Sequence, residues 1–410
     1  MNAKPWRAPL VGRDRDERHR SATPLELFYD LCFVVAVVSA AERLHHGLAE
    51  GHWNNLLGFA LVFFAIWWAW MNFTWFASAY DTDDILYRLF TFVQMSGALV
   101  LAAGVPAAFD TGDLRVAVVG YGIMRVPMIA QWLRAAHDHP DIASTARRYA
   151  AGIAFVQVLW VARLAVPGPP GLVLVAVLVL GELAVPVVAE RSGQTPWHPR
   201  HITERYGLFL LIVLGEVMLS STTAIQGGVS ERGLTLSLLL GVVGGLLIVF
   251  CMWWFYFKHS AEESLEDMAG DEARSPFLWG YSHYLIYAAA AATGSGLGAV
   301  VDVVQSQAHV GTRAAALTVA LPVSVYLVTV GALQSHDDGS RRMVVRGTLT
   351  SLAVLAVALS GIDAGLAVLL IGLVLTGALA HHLIADHDPE ATRRHRADAA
   401  SGKVAGPTHG

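Results

Sequence analysis

The sequence predicts an all-α integral membrane protein with about twelve transmembrane helices, arranged as two parallel six-helix repeats. Hydrophobic residues make up 55% of the 410 residues and charged residues only 15%, and the mean hydropathy is +0.50. A soluble domain of this composition would have too few polar residues to cover its surface. Apolar runs of roughly 20 residues recur along the chain, which is the length that a helix needs to cross about 30 Å of hydrocarbon. Their continuous apolar character excludes the alternating pattern of a β-barrel.

Each predicted span is an apolar run that ends at charged or turn-forming residues. The runs cover 25–44, 55–77, 85–105, 115–136, 147–166 and 171–190 in the first half, and 203–226, 234–258, 277–301, 312–334, 343–360 and 364–384 in the second. These segments must be helical, because the bilayer interior has no water to form hydrogen bonds with unpaired backbone N–H and C=O groups. The fourth run is the least regular, since Arg125 and Pro127 interrupt it.

Local signatures recur in the same order in both halves. Each half begins with a charged residue shortly before a Leu-Phe pair, and its second span ends in tryptophans. An acidic loop follows that span, and paired arginines precede the fifth span. The matched segments are Glu26–Asp30 with Glu204–Phe209, Trp67–Trp70 with Trp253–Tyr256, Asp81–Asp84 with Glu262–Asp267, and Arg147-Arg148 with Arg341-Arg342. This order indicates an internal duplication. Because six crossings are an even number, the halves point the same way, about an axis along the membrane normal.

The chain therefore divides into a first repeat at 21–195, a second repeat at 196–385 and two tails. Residues 1–20 are charged and lack an apolar run, so we predict a flexible cytoplasmic tail. Residues 386–410 are rich in His, Asp, Arg and Gly, which is typical of a disordered segment. The sequence has no basic patch with interleaved aromatic residues, so we expect no nucleic-acid partner.

The distribution of arginines predicts that both termini are cytoplasmic. The predicted inner side carries the N-terminal basic cluster and Arg134, Arg147, Arg148, Arg191, Arg200, Arg205, Arg341, Arg342, Arg346, Arg393, Arg394 and Arg396. The predicted outer side carries Arg43, Arg115, Arg163, Arg232 and Arg313.

Charged residues inside spans are costly and are therefore candidates for function. Glu26 and Asp30 are four residues apart and share a helix face. This pair could share a proton or bind a cation, or it could be a water-facing helix start favoured by the helix dipole.

Glu216 is the strongest single candidate for a buried functional acid, because it lies about three turns into the seventh span. Arg205 lies eleven residues earlier on nearly the same face. The alternative for Glu216 is a structural ion pair with Arg125 or Arg163. Glu182 lies in the middle of the sixth span. Arg125 is the natural cationic partner for one of these carboxylates, either in a structural pair or in a substrate site.

The acidic loop Asp81, Asp83 and Asp84 could concentrate cations at a pore mouth or bind a divalent ion, or it could simply be solvated. His283 is the histidine that lies inside a span, and it could titrate near neutral pH. The tryptophan rows at 67–75 and 253–256 are typical of aromatic belts at the membrane interface. Cys32 and Cys251 lie in spans and predict no disulfide framework.

Catalytic and metal-binding motifs are missing from the sequence. It contains no G-x-S-x-G, no P-loop, no H-E-x-x-H and no zinc spacing of Cys and His. We therefore expect a protein that is not an enzyme and that has no cofactor and no metal site.

Several motifs resemble the bacterial low temperature requirement protein A family. The resemblance spans roughly residues 18 to 385 and implies a multi-pass protein of the bacterial plasma (inner) membrane, without implying a mechanism. The motifs are Thr23-Pro24-Leu25-Glu26-Leu27-Phe28-Tyr29-Asp30-Leu31-Cys32-Phe33-Val34, Trp67-Trp68-Ala69-Trp70, Asp81-Thr82-Asp83-Asp84, Arg148-Tyr149, Glu204-Arg205-Tyr206-Gly207-Leu208-Phe209 and Val213-Leu214-Gly215-Glu216.

A second resemblance is confined to the first span. Phe28-Tyr29-Asp30 is similar to the Phe-Ser-Asp core of a family of duplicated six-helix potassium channels. That family places an arginine four residues before the phenylalanine, where this chain has Pro24. The second half has Arg205 and Phe209, but Leu210-Leu211 follow in place of Ser-Asp.

We conclude that the sequence favours secondary transport of an ion or small solute. The alternatives are a potassium-like cation channel and a non-transporting membrane sensor or scaffold. The lipid bilayer is the expected partner, and a homodimer is compatible with the sequence.

Overall fold

The computed structural model describes residues 5–13, 21–80, 82–166, 168–258, 276–334 and 340–386. Within these ranges the chain forms twelve helices of 20 residues or more. They are α1 (Pro24–Glu50), α2 (Asn55–Ala79), α3 (Ile85–Asp110), α4 (Arg115–Asp138), α5 (Ala143–Arg163), α6 (Pro169–Glu190), α7 (Pro199–Arg232), α8 (Leu236–Phe257), α9 (Pro276–Val304), α10 (Thr312–Leu333), α11 (Ser340–Leu359) and α12 (Ala364–Asp386).

Ten of the helices in the described ranges are long and apolar enough to cross a membrane. The exceptions are α5 and α11. Helix α5 carries three arginines, Arg147, Arg148 and Arg163, and the described apolar part of α11, Met343–Leu359, is shorter than a membrane span. The all-helical, multi-pass architecture predicted from the sequence is therefore confirmed. That α5 and α11 also cross the membrane stays a prediction.

Local sequence signals set the start of α1 and thereby place the first candidate acid. Thr23 caps the helix, because its side chain accepts a hydrogen bond from the backbone N–H of Glu26. The Glu26 carboxylate accepts in return from the backbone N–H of Thr23, at 2.7 Å. Pro24 occupies the first turn, where its missing N–H costs nothing. The helix ends at Gly51, whose φ of 80° is readily adopted only by glycine.

Helix α1 packs against α2, α3, α7 and α9 and leaves one face, with Phe28, Leu31 and Val35, exposed. The neighbours inside the two halves correspond: α1–α3 with α7–α9, α3–α4 with α9–α10, and α4–α5 with α10–α11. The contacts between the halves do not correspond in this way. In the described residues α1 packs closely on α9, whereas α3 has at most a marginal contact with α7. The two-repeat organisation therefore remains a prediction.

Two contacts fix the relative direction of α1 against the second half. Near the start of α1, the Glu26 carboxylate lies 3.3 Å from the guanidinium of Arg205, near the start of α7. Near the end of α1, His45 lies 2.8 Å from the carboxylate of Asp302, near the end of α9. Helices α1, α7 and α9 therefore run in the same direction.

The first residues of the chain are not a free tail where the structure describes them. The backbone N–H of Ala8 donates to Asp84 at 2.8 Å, and that of Leu10 donates to Asp138 at 3.0 Å. Leu10 is buried, and the N–H of Arg13 donates to the carbonyl of Ala79. Residues 5–13 therefore form a segment packed across the ends of α2, α3 and α4. The predicted C-terminal tail beyond Asp386 and the second acidic loop, Glu262–Asp267, lie outside the described residues.

The tryptophan row of α2 does not form an interfacial belt. Trp67, Trp68 and Trp70 are fully buried in the middle of the bundle. Their indoles pack against aromatic rings of α7 and α9, including those of Tyr206 and Tyr281. The sequence pattern could not show this, because an indole suits both a wet interface and a buried site that offers an acceptor.

Candidate functional site

The first candidate site is a buried ion-pair cluster between α1 and α7. Asp30 accepts two hydrogen bonds from Arg205, from Nε at 3.0 Å and from Nη2 at 2.5 Å. Trp70 of α2 donates its indole N–H to the same carboxylate at 2.7 Å. Both Asp30 and Arg205 are 0% exposed. The pair is bidentate, which is the strongest geometry available to an arginine and a carboxylate.

Glu26 and His201 complete this cluster one turn nearer the helix starts. The Glu26 carboxylate lies 3.1 Å from His201 Nε2 and 3.3 Å from Arg205 Nη1. Arg205 also lies 3.4 Å from the hydroxyl of Thr74 on α2. Among the described residues, two carboxylates thus face one guanidinium and one imidazole. The alternative of a water-facing start of α1 is therefore wrong, because both acids are buried and paired.

A second buried ion pair joins α4 to α6. Arg125 Nη2 lies 2.6 Å from Glu182 Oε2. The same carboxylate accepts from Trp68 at 2.9 Å and from Trp160 at 3.1 Å. Tyr121 lies within hydrogen-bonding distance of both Arg125 and Glu182. The prediction that Arg125 pairs with one of the membrane carboxylates is confirmed, and its partner is Glu182.

Glu216 differs from the other membrane acids, because in the described part of the chain no cation lies against it. It is 3% exposed. Its Oε1 accepts from the Ser220 hydroxyl at 2.5 Å, and its Oε2 has no hydrogen-bond partner there. The alternative of a structural pair with Arg125 or Arg163 is wrong: Arg125 is held by Glu182, and Arg163 donates to the carbonyl of Gly171. An isolated carboxylate in this setting takes up a proton or binds a cation.

Arg205 and Glu216 serve different parts of α7, although they share a face. Eleven residues of helix separate them by about 16 Å. Arg205 is committed to the acids of α1, so it does not neutralise Glu216. The two therefore belong to separate sites.

His283 is a buried histidine whose two ring nitrogens both lie within hydrogen-bonding distance of a partner. Its Nδ1 lies 2.8 Å from the carbonyl oxygen of Trp279, and its Nε2 lies 2.9 Å from the Tyr256 hydroxyl. The carbonyl can only accept, so Nδ1 carries the proton and Nε2 accepts from Tyr256. Aromatic rings enclose the imidazole. No acid among the described residues offers to pair with a protonated ring.

The first acidic loop is structural where it is described; Asp81 lies outside the described residues. Asp83 pairs with Arg88 at 2.6 Å on the surface. Asp84 is buried, caps α3 through the N–H of Tyr87 and forms an ion pair with Arg134 of α4. Burial acts to raise the pKa of Asp84. Hydrogen bonds from Arg134 and from the backbone N–H groups of Ala8 and Tyr87 outweigh burial, so the pKa lies below its ordinary value.

Among the described residues, no group of three or more His, Cys, Asp or Glu side chains could hold a metal ion. Sequence reasoning missed the groups that hold the candidate acids in place, namely Trp68, Trp70, Trp160, His201 and Arg134. The available signal was the presence of tryptophans in the middle of membrane spans, because a buried indole N–H needs an acceptor.

Comparison with known proteins assigns the family. The model of the bacterial low temperature requirement A protein (LtrA) matches residues 21–385, which is most of the chain. The chain belongs to the LtrA family. With its ten membrane-length apolar helices in the described ranges, this LtrA protein is a multi-pass helical membrane protein whose environment is the lipid bilayer.

A curated relative gives no activity to transfer. This LtrA protein is similar to an uncharacterised protein of Rhizobium meliloti (strain 1021), with 27% identity over 284 residues. The match covers 66% of this chain and 67% of the relative. No solved structure matches the chain.

Proposed function

We propose that this LtrA protein is a secondary transporter, rather than an enzyme, and that it moves an ion or small solute across the bacterial inner membrane. Glu216 carries the proposal. A carboxylate that is 3% exposed and lacks a cation in the described residues is a costly feature of a membrane helix. Reversible binding of a proton or cation at Glu216 would explain why the protein keeps such an unfavourable carboxylate.

The buried ion pairs support a carrier more than a channel. Asp30 of the Phe28-Tyr29-Asp30 motif is held by two bonds from Arg205 and one from Trp70. A carboxylate that is held in this way is not available to line a cation filter. The potassium-like channel is therefore the second candidate, and a sensor or scaffold is the third.

We also propose twelve crossings in two parallel repeats with both termini in the cytoplasm. The arginine distribution supports this orientation. The shared direction of α1 and α7 supports an even number of crossings between their starts. Sites in duplicated transporters lie at the interface of the repeats, and the cluster of Glu26, Asp30 and Arg205 joins α1 to α7.

The test is flux through proteoliposomes that contain the purified protein. Uptake of Na⁺, K⁺, H⁺ and small solutes would be followed under imposed pH and ion gradients. Wild-type protein should give saturable, gradient-coupled flux. Glu216→Gln should remain folded but abolish the coupling, because the amide cannot exchange a proton or neutralise a cation. Glu50→Gln, at an exposed acid at the end of α1, is the matched control and should transport normally.

Other results would overturn the proposal. Large ohmic currents would assign a channel. Absence of flux alongside a stable co-purifying partner would assign a scaffold. A destabilised Glu216→Gln protein whose folded fraction transports normally would make Glu216 a structural residue.

A further inference from the structure

A basic cavity lies where the ends of α8, α10 and α12 meet the start of α11. It has a volume of about 280 Å³. Among the described residues that line it, three carry or can carry positive charge and none is acidic. The lining comprises Phe255, Leu327, Val330, Gly331, Gln334, Met343, Arg346, Gly347, Leu349, Thr350, Ala378, His381 and His382.

The cavity lies on the same side of the membrane as the starts of α1 and α7. Phe257, the last residue of α8, packs against the backbone of Gly207 near the start of α7. The end of α8 and the start of α7 are therefore level. With both termini inside, this side is the cytoplasmic leaflet.

Arg346 is the principal cation of the cavity. It is half-buried in the second turn of α11. Among the described residues no carboxylate or carbonyl engages its guanidinium, unlike the guanidinium groups of Arg125, Arg134 and Arg205. A guanidinium presents a planar set of donors that fits carboxylate or phosphate oxygens in a bidentate way.

A second charge borders the cavity. Lys258, at the end of α8, lies with Nζ 2.5 Å from Nδ1 of the lining residue His382. A protonated lysine can only donate, so His382 accepts through its neutral imidazole, and the positive charge stays on Lys258. The described part of the cavity therefore has a guanidinium in its lining and an ammonium group at its border.

The opposite wall of the cavity is apolar and continuous with the lipid-facing surface. Leu349 lines the cavity and is 60% exposed, and Leu352 on the same helix is 57% exposed. In a membrane these leucines face acyl chains. A ligand that fits both walls carries an anionic group at one end and a hydrocarbon chain at the other.

We propose that this cavity binds the headgroup phosphate of an anionic phospholipid from the cytoplasmic leaflet. Arg346 binds the phosphate oxygens, and the acyl chains lie along Leu349 and Leu352. Basic pockets between membrane helices at the cytoplasmic interface are suited to such headgroups. The site is separate from Glu216, so it stands independently of the proposed transport.

The test measures lipid binding to the full-length protein in detergent. Delipidated protein would be titrated with phosphatidylglycerol, phosphatidylcholine or inorganic phosphate, with native mass spectrometry and thermal stability as readouts. Phosphatidylglycerol should bind at least tenfold more tightly than phosphatidylcholine. Arg346→Gln should lower that preference about tenfold, which is the scale of one charge-assisted contact. Arg346→Lys should keep part of it.

The matched control is Arg313→Gln, at an exposed arginine at the opposite end of α10, which should keep the full preference. Three outcomes would overturn the proposal. Equal binding of both phospholipids would show that the cavity does not select an anionic headgroup. A folded Arg346→Gln protein that keeps the wild-type preference would show that the lipid does not bind at Arg346. Inorganic phosphate that binds as tightly as phosphatidylglycerol assigns the cavity to a soluble anion instead.

Discussion

Loss of Arg205 should destabilise the protein far more than loss of Asp30. Arg205→Gln leaves Glu26 and Asp30 buried on one face without the guanidinium that pairs with both. Removal of one partner from a buried ion pair costs roughly 3–5 kcal/mol. Asp30→Asn leaves Arg205 paired with Glu26 at 3.3 Å and keeps a group that can accept from Trp70. Its cost should be that of a weakened hydrogen-bond set, about 1–3 kcal/mol.

The assay is equilibrium unfolding of purified protein in mixed detergent and SDS micelles. Arg88→Gln is the control, because its ion pair with Asp83 lies at the surface, where such pairs contribute about 0–1 kcal/mol. Lower pH should reduce the deficit of Arg205→Gln, since protonated carboxyl groups no longer need a cation. The reasoning is refuted if Asp30→Asn is as damaging as Arg205→Gln, or if Arg205→Gln matches the surface control.

Three further predictions concern topology, the acidic loop and helix packing. In a cysteine-free background, cysteines at Ser144 and Ala165 should label from opposite sides if α5 crosses the membrane; labelling from one side would contradict this. The Asp84→Asn protein should melt at a lower temperature than the wild-type protein at neutral pH. This difference in melting temperature should close as the pH falls below the lowered pKa of Asp84, because that carboxylate stabilises the fold only while it is ionised. A difference that does not change with pH would contradict this. Gly120→Ala should lower the stability of the protein, because a Cβ at this position meets the backbone of α3. Gly215→Ala should leave the stability unchanged, because no atom lies within 4 Å of a Cβ there. Equal melting temperatures of the two variants would refute this.

The sequence was most informative where one physical rule decides the outcome. Apolar runs of membrane length predicted the helices, because a bilayer leaves the backbone no other choice. The predicted start of α1 agrees closely with the observed start, since Thr23, Pro24 and Glu26 form a complete N-terminal capping signal. The helix α4 continues through Pro127, which the local pattern did not favour.

The partners of the charges could not be predicted, because pairing depends on which helices meet. Helix periodicity placed Arg205 and Glu216 on one face, but only the packing of α7 on α1 shows that Arg205 meets Asp30. The sequence predicted that Arg125 pairs with a carboxylate but not which one. The packing of α4 against α6 makes Glu182 the partner. The burial of Trp70 has the same cause, since its neighbours come from α1, α7 and α9.

The ion pair of Asp30 with Arg205 has a consequence for biosynthesis. The two residues are 175 positions apart in the sequence. At about 5–20 residues per second, a ribosome takes roughly 10–35 s to travel from one to the other. During that interval α1 holds two acids without their guanidinium, which is a costly state for a membrane helix unless the acids are protonated. The first half of the chain therefore completes its buried ion pair only after α7 has been synthesised.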